Sequence, residues 1–249
     1  MTMKTIHMHK LSAVMEMKLK TIFSKNFIIM PLFSIGFTFI MKLVYGAVTE
    51  GGINDVLCGL ALSYGALMNI TGTGIYCVSA ALAEEKEKHT LRVLMTSSVN
   101  GLEFFLGSLI PFVGMMLAVN VVAALVAGLS MTGVQWAAYL GVSLLAAVTC
   151  AVVGMIFGIF SKNQVTASTV TTPAMLVLMM VPMFGNLNKT METISGFLFT
   201  GVLQQTVVNI SQRKDRLVNG LSIAVIAVEI VAAVVCFLVI YRRNGYDSQ

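Results

Sequence analysis

Apolar and polar positions along this chain fall into long blocks, and the blocks predict six helices that cross a membrane. The apolar runs cover residues 27–48, 56–83, 104–129, 135–160, 168–187 and 219–241. Each reaches the length of about 20 residues that spans a bilayer core. Ahead of the first run, residues 10–25 carry Leu11, Val14, Met15, Leu19, Ile22 and Phe23 at helical spacing. Lys10, Glu16, Lys18, Lys20 and Lys25 take much of the remaining surface, which predicts an amphipathic helix lying in the membrane interface. The alternative is a plain N-terminal extension of the first span. The expected fold class is all-α, a polytopic membrane protein in which residues 1–249 form a single transmembrane domain.

Two segments break the block pattern. Between the second and third spans stands Glu84-Glu85-Lys86-Glu87-Lys88-His89-Thr90-Leu91-Arg92, where six of nine residues are charged in a chain that is 11% charged. The pattern continues helically, with Leu91, Leu94 and Met95 on one face and charge on the other. It predicts a cytoplasmic helix within 84–100 that docks a soluble partner; the plainer alternative is a solvated turn. The second segment, residues 193–210, is apolar in part (Phe197, Leu198, Phe199, Val202, Leu203) yet holds Ser195, Gly196, Gln204, Gln205 and Asn209. As a seventh span it would put Arg213, Lys214 and Arg216 inside and Arg242 and Arg243 outside. As a re-entrant pair of short helices within 188–216 it leaves six spans. Non-helical backbone at membrane depth is tolerated only where protein or a water-filled cavity buries it. The re-entrant reading is the one adopted.

Composition narrows the class. Hydrophobic residues make up 57% of the chain and its mean hydropathy is +0.88, against roughly 45–50% apolar residues in soluble globular domains. A polar, Lys-rich start ahead of the first apolar run argues against a cleavable signal peptide. The net charge is +5, but the positives are dispersed, which fits anionic lipid headgroups and not nucleic acid. With both termini cytoplasmic, eleven basic residues fall inside, and five (Lys42, Lys189, Arg213, Lys214, Arg216) fall outside. That bias satisfies the positive-inside rule. Cys58, Cys77, Cys150 and Cys236 all fall within predicted spans without a Cys-x-x-Cys pair, so they read as small apolar packing residues.

Catalytic chemistry is not supported. Gly101 and Gly107 lack Walker A spacing, and no Gly-Lys-Ser/Thr follows them. His7, His9 and His89 are scattered, and no Gly-x-Ser-x-Gly elbow is present. The chain is expected to be no enzyme and to bind no metal or cofactor directly. Glu229 is the one acidic residue deep in a span, where insertion of a charge costs about 2.5–3.5 kcal/mol. It should face the bundle or a cavity, either as a contact on the cargo path or as a hydrogen-bonded structural group. Lys42 reads as snorkelling toward the outer interface. Gly72 and Gly74 loosen the second span or let helices pack, and Gly154-x-x-x-Gly158 allows close helix approach within or between subunits.

The run Glu84–Ser108 resembles the signature between the second and third spans of ABC-2-type permeases, the membrane subunits of one class of ATP-binding-cassette exporter. Glu85, Glu87, Thr90, Leu91, Leu94, Val99, Leu102, Glu103 and Gly107 match that pattern in register. His89 stands for its Gly, Arg92 for its acidic residue, Ser98 for its Pro and Ser108 for its Lys, so the Gly-Thr and Thr-Pro bends are missing. Gly158-Ile-Phe-Ser161 resembles the Gly-x-x-Ser pattern that ends the family's fourth span. An N-terminal elbow helix and re-entrant extracellular helices before the last span are further features of that family.

The resemblance implies a permease subunit of a bacterial exporter in the cytoplasmic membrane. A separate ATP-binding-cassette ATPase, holding ATP and Mg, would grip a coupling helix around 84–96. Glu85, Glu87, Lys88, Thr90 and Arg92 would form the polar part of that interface and Leu91 and Leu94 its apolar contact. A second permease copy, identical or related, would complete the transporter. The implied cargo is hydrophobic or amphipathic, a peptide such as a bacteriocin or a drug, with Glu229 on its path. Two alternatives stand beside this: a secondary transporter driven by an ion gradient through Glu229, and a membrane immunity or scaffold protein that binds a toxin.

Overall fold

A computed structural model of the chain describes residues 7–49, 52–88, 101–185 and 188–244. Those residues form helices and short connections, with no strand among them. In chain order they are α1 (Met8–Ile22), α2 (Ile29–Val48), α3 (Asp55–Thr71), a π-helical segment (Gly72–Cys77), α4 (Val78–Glu87) and α5 (Gly101–Ala127). There follow α6 (Gly133–Phe160), α7 (Gln164–Met183), α8 (Lys189–Gly196), α9 (Phe199–Ser211) and α10 (Gly220–Asn244). Among the described residues six helical stretches are long and apolar enough to cross a membrane, with α3, the π segment and α4 counting as one of 33 residues. The six expected spans are all present.

That 33-residue helix is the axis of the bundle. Its most apolar window is 89% buried, against 17% for those of α2, α7 and α10. Side-chain size explains the difference, because Gly, Ala and Ser recur along it and let neighbouring helices approach. The α6 helix comes close at Gly154, where an added Cβ would lie 2.1 Å from the Gly74 carbonyl oxygen. One turn on, a Cβ at Gly158 would meet Leu82 at 2.9 Å. The Gly154-x-x-x-Gly158 groove is thus filled from within the chain, by the π segment and α4. Gly74, for its part, sits against Cys150 and Met116. Gly74 has no side chain, so the π segment presents bare backbone to α6 there.

A buried polar chain crosses the bundle from the same helix. The Asn69 side-chain amide donates to the Met116 carbonyl (2.8 Å) and to Asn120 Oδ1 (2.9 Å), and Thr73 Oγ1 donates to Asn69 Oδ1 (3.1 Å). Asn120 Nδ2 continues to Ser143 Oγ, and the Tyr139 hydroxyl donates to the Asn120 carbonyl. Each amide is satisfied, which is what lets polar groups remain in an apolar interior.

The segment between the fifth and sixth spans forms two helices of 8 and 13 residues, neither long enough to cross a bilayer. The α9 helix is buried against α3 and α6, with Leu203 and Val207 fully enclosed. Its C-terminal end closes with Arg213 in the left-handed region (φ 55°), and the Arg213 guanidinium holds Asp55 at the start of α3 (2.8 Å). Lys42, near the same end of the bundle, donates to the Val126 carbonyl in the last turn of α5 (3.0 Å). Its ammonium therefore meets the negative end of a helix dipole. All four cysteines are free thiols; three are buried and Cys236 is exposed.

Candidate functional site

The charged run ends the axial helix, and the last turns of α4 send successive side chains in different directions. Glu85 is buried and forms an ion pair with Lys18 of α1 at 2.6 Å. Lys86 donates to the Ile159 carbonyl and, at 3.4 Å, to the Ser161 carbonyl, both at the C-terminal end of α6. Glu87 accepts from the Gln164 backbone N–H in the first turn of α7 (3.3 Å). Glu84 pairs along its own helix with Lys88, which holds the Lys88 ammonium above the usual lysine range. The helix turns by about 100° per residue, so four consecutive charges must cover most of its circumference.

The α1 helix is seated on α5 by two of the signature residues. Gly107 leaves room for Val14, which would lie 2.8 Å from a Cβ placed there. One turn earlier, buried Glu103 accepts the His7 backbone N–H (2.7 Å) and lies 3.5 Å from His7 Nδ1. The buried stripe of α1 is Val14, Lys18 and Ile22, spaced by four. Lys18 was expected on the polar surface of this helix. Instead it is 1% exposed, beside Glu85 and 5.0 Å from the centre of the Phe104 ring. Burial pushes its ammonium below the ordinary lysine range, and the neighbouring Glu85 opposes that shift. Leu19 and Phe23, expected on the apolar face, are exposed.

Of the expected coupling residues, Glu85, Glu87 and Lys88 are described, and Glu87 and Lys88 are exposed. Thr90, Leu91, Arg92 and Leu94 lie outside the described residues. Among the described residues no group of three His, Cys, Asp or Glu side chains is placed to hold a metal ion. Sequence reasoning missed the burial of Lys18, the Asn69–Asn120 chain, and the helix-end contacts of Lys86 and Glu87. A signal existed for two of them. Lys18 is spaced by four from both Val14 and Ile22, and Asn69 and Thr73 share a face of an otherwise apolar span.

Glu229 lies away from this end, half-buried on α10. Its carboxyl lies beside the backbone N–H of Phe199, the first residue of α9, and its Oε2 atom is buried without a hydrogen-bond partner. The preceding Leu198 supplies no side-chain cap, so the Glu229 carboxyl is an acceptor from another helix near the start of α9. Glu229→Leu is expected to lower stability by about 1 kcal/mol, because it removes an acceptor beside the amide that opens α9. Glu229→Gln keeps an acceptor and should stay close to the parent. Thermal unfolding of the two variants in detergent checks this, and equal melting temperatures would refute the capping role.

The six apolar helices around a small-residue axis define a multi-pass membrane protein. A family model described as ABC-2 family transporter protein matches residues 50–242, from just before α3 into the last turn of α10. The chain belongs to the ABC-2 transporter family. Curated proteins give no match to it.

Proposed function

We propose that the chain is the permease subunit of a bacterial ATP-driven exporter, paired with a separate ATP-binding-cassette ATPase and with a second permease copy. The observation that carries this reading is the charged end of α4, which leads straight into residues 89–100 in a chain of the ABC-2 family. ATP and Mg would reside on the partner, and residues 89–96, with Leu91 and Leu94 as apolar contacts, would dock it. Both termini lie on the cytoplasmic side, where the positive-inside count places them. The α1 helix is then the interfacial elbow, with exposed Leu19 and Phe23 turned to lipid. The α8–α9 pair is re-entrant, with Phe199 at membrane depth beside Glu229 and Arg213 at the outer surface. Thinly covered α2, α7 and α10 supply the faces for lipid and for the second copy. The cargo is hydrophobic or amphipathic, a peptide or a drug.

The test is co-purification. The full chain should bring an ATP-hydrolysing subunit through detergent extraction. Leu91→Asp combined with Leu94→Asp should release that subunit while membrane insertion is kept. A doubly substituted chain that still holds the ATPase would sink the docking assignment.

A further inference from the structure

The last two residues of α4 bear opposite charges, and each meets a helix end of opposite polarity. Lys86 donates to carbonyls that end α6, and Glu87 accepts from the amide that opens α7. A helix C-terminus carries partial negative charge and an N-terminus partial positive charge, so both contacts complement the dipoles they meet. The two helix ends are joined by Ser161, Lys162 and Asn163 alone. Ser161 is buried with its hydroxyl bonded to the Phe157 carbonyl, and Asn163 Oδ1 caps α7 through the Thr166 amide. The turn is thus internally tied, and α4 holds it from both sides. A Cβ at Gly158 would touch Leu82, so α4 and α6 are also packed closely one turn above.

We propose that Lys86 and Glu87 form a clamp that makes the α6–α7 turn move with the end of α4, so that a pull on residues 89–100 is delivered to two helical hairpins at once. This rests on the docking reading above and adds to it a positioning role for two residues. Glu87 then acts as an internal strut, where the sequence placed it on the partner's rim. The clamp depends on the direction of the dipoles. A Lys86→Glu, Glu87→Lys exchange therefore fails to restore it, because carbonyl oxygens accept only donors and amide N–H groups need acceptors.

Spin labels at Lys88→Cys and Lys162→Cys in a Cys236→Ser background read the clamp in the full chain in lipid nanodiscs. The distance distribution should be narrow in that background, broad in the Lys86→Met, Glu87→Gln variant and in the charge exchange, and narrow again with Lys86→Arg. With the co-purified ATPase present, ATP should leave this distance unchanged when the clamp is intact and should alter it when the clamp is broken. The ATPase should stay bound in both cases. An unchanged distribution in the Lys86→Met, Glu87→Gln variant overturns the proposal. So does release of the ATPase by that variant, since the two residues would then be partner contacts. If the parent chain retains no ATPase, the docking reading fails on its own, and the clamp is decided by the nanodisc distances.

Discussion

Glu85→Leu is expected to destabilise the full chain by about 3–5 kcal/mol, because it leaves the Lys18 ammonium buried without its counter-ion. The two side chains are 2% and 10% exposed, so water cannot take over for the lost carboxylate. Lys18→Met should destabilise as well, because the largely buried Glu85 carboxylate loses its ion-pair partner. The double variant Lys18→Met, Glu85→Leu should recover most of the loss, since both desolvation penalties disappear together while volume is kept. The exchange Lys18→Glu, Glu85→Lys should also recover part of it. Melting temperatures in one detergent at one pH provide the comparison. If the double variant is as unstable as the sum of the single ones, the pair is not coupled and the assignment is wrong. A further consequence separates stability from function. The apolar double variant keeps the helices packed but removes the directional link between α1 and α4. On the exporter reading proposed above, ATP-dependent transport by this variant should fall by a larger factor than its stability accounts for.

The six spans were legible because each is a continuous apolar block of bilayer length, and no tertiary detail is needed to see one. The pair of short helices α8 and α9 was legible in part: Gln204, Gln205 and Asn209 mark 193–210 as a poor lipid-facing span, but not where its helices break. The charged run was misread at one point for a reason that helix geometry makes plain. Glu85, Glu87 and Lys88 were assigned to one rim, although Glu85 and Glu87 point about 200° apart on a regular helix. Glu85 turns in toward α1 and Glu87 toward α7. Nothing local reveals those partners, which lie 67 and 77 positions away in the chain. Lys18 was placed on the surface because lysine is seldom fully buried, a rule that holds only for an unpaired lysine. Glu103 and Gly107 illustrate the opposite case. The resemblance marked them as signature residues, and the structure supplies their physical task, since both face α1.

Gly154→Val should abolish the folded state, and Gly154→Ala should weaken it markedly. A Cβ at this position would lie 2.1 Å from the Gly74 carbonyl oxygen and 3.1 Å from Ile75 Cα. The obstructing atoms are backbone of the most buried helix, so no side-chain rotation relieves the clash. Overpacking of this kind typically costs about 1–3 kcal/mol when neighbours can shift, and the π segment has little room to shift. Cys150 and Met116 hold Gly74 from the adjoining sides, and the Asn69–Thr73 bond fixes the turn before it. Gly36→Ala is the matched control. It sits in the interior of α2 with nothing within 4 Å of its would-be Cβ, so alanine should be neutral or slightly stabilising there through helix propensity. Yield of monodisperse protein and melting temperature in detergent report both changes. Gly154→Ala with the stability of Gly36→Ala would mean that α6 does not pack on the π segment as described. The comparison also separates packing within a chain from packing between chains. If Gly154 served a subunit interface, alanine would change the oligomeric state and leave the isolated chain's melting temperature intact. If it serves the π segment, the melting temperature falls whether or not a second copy is bound.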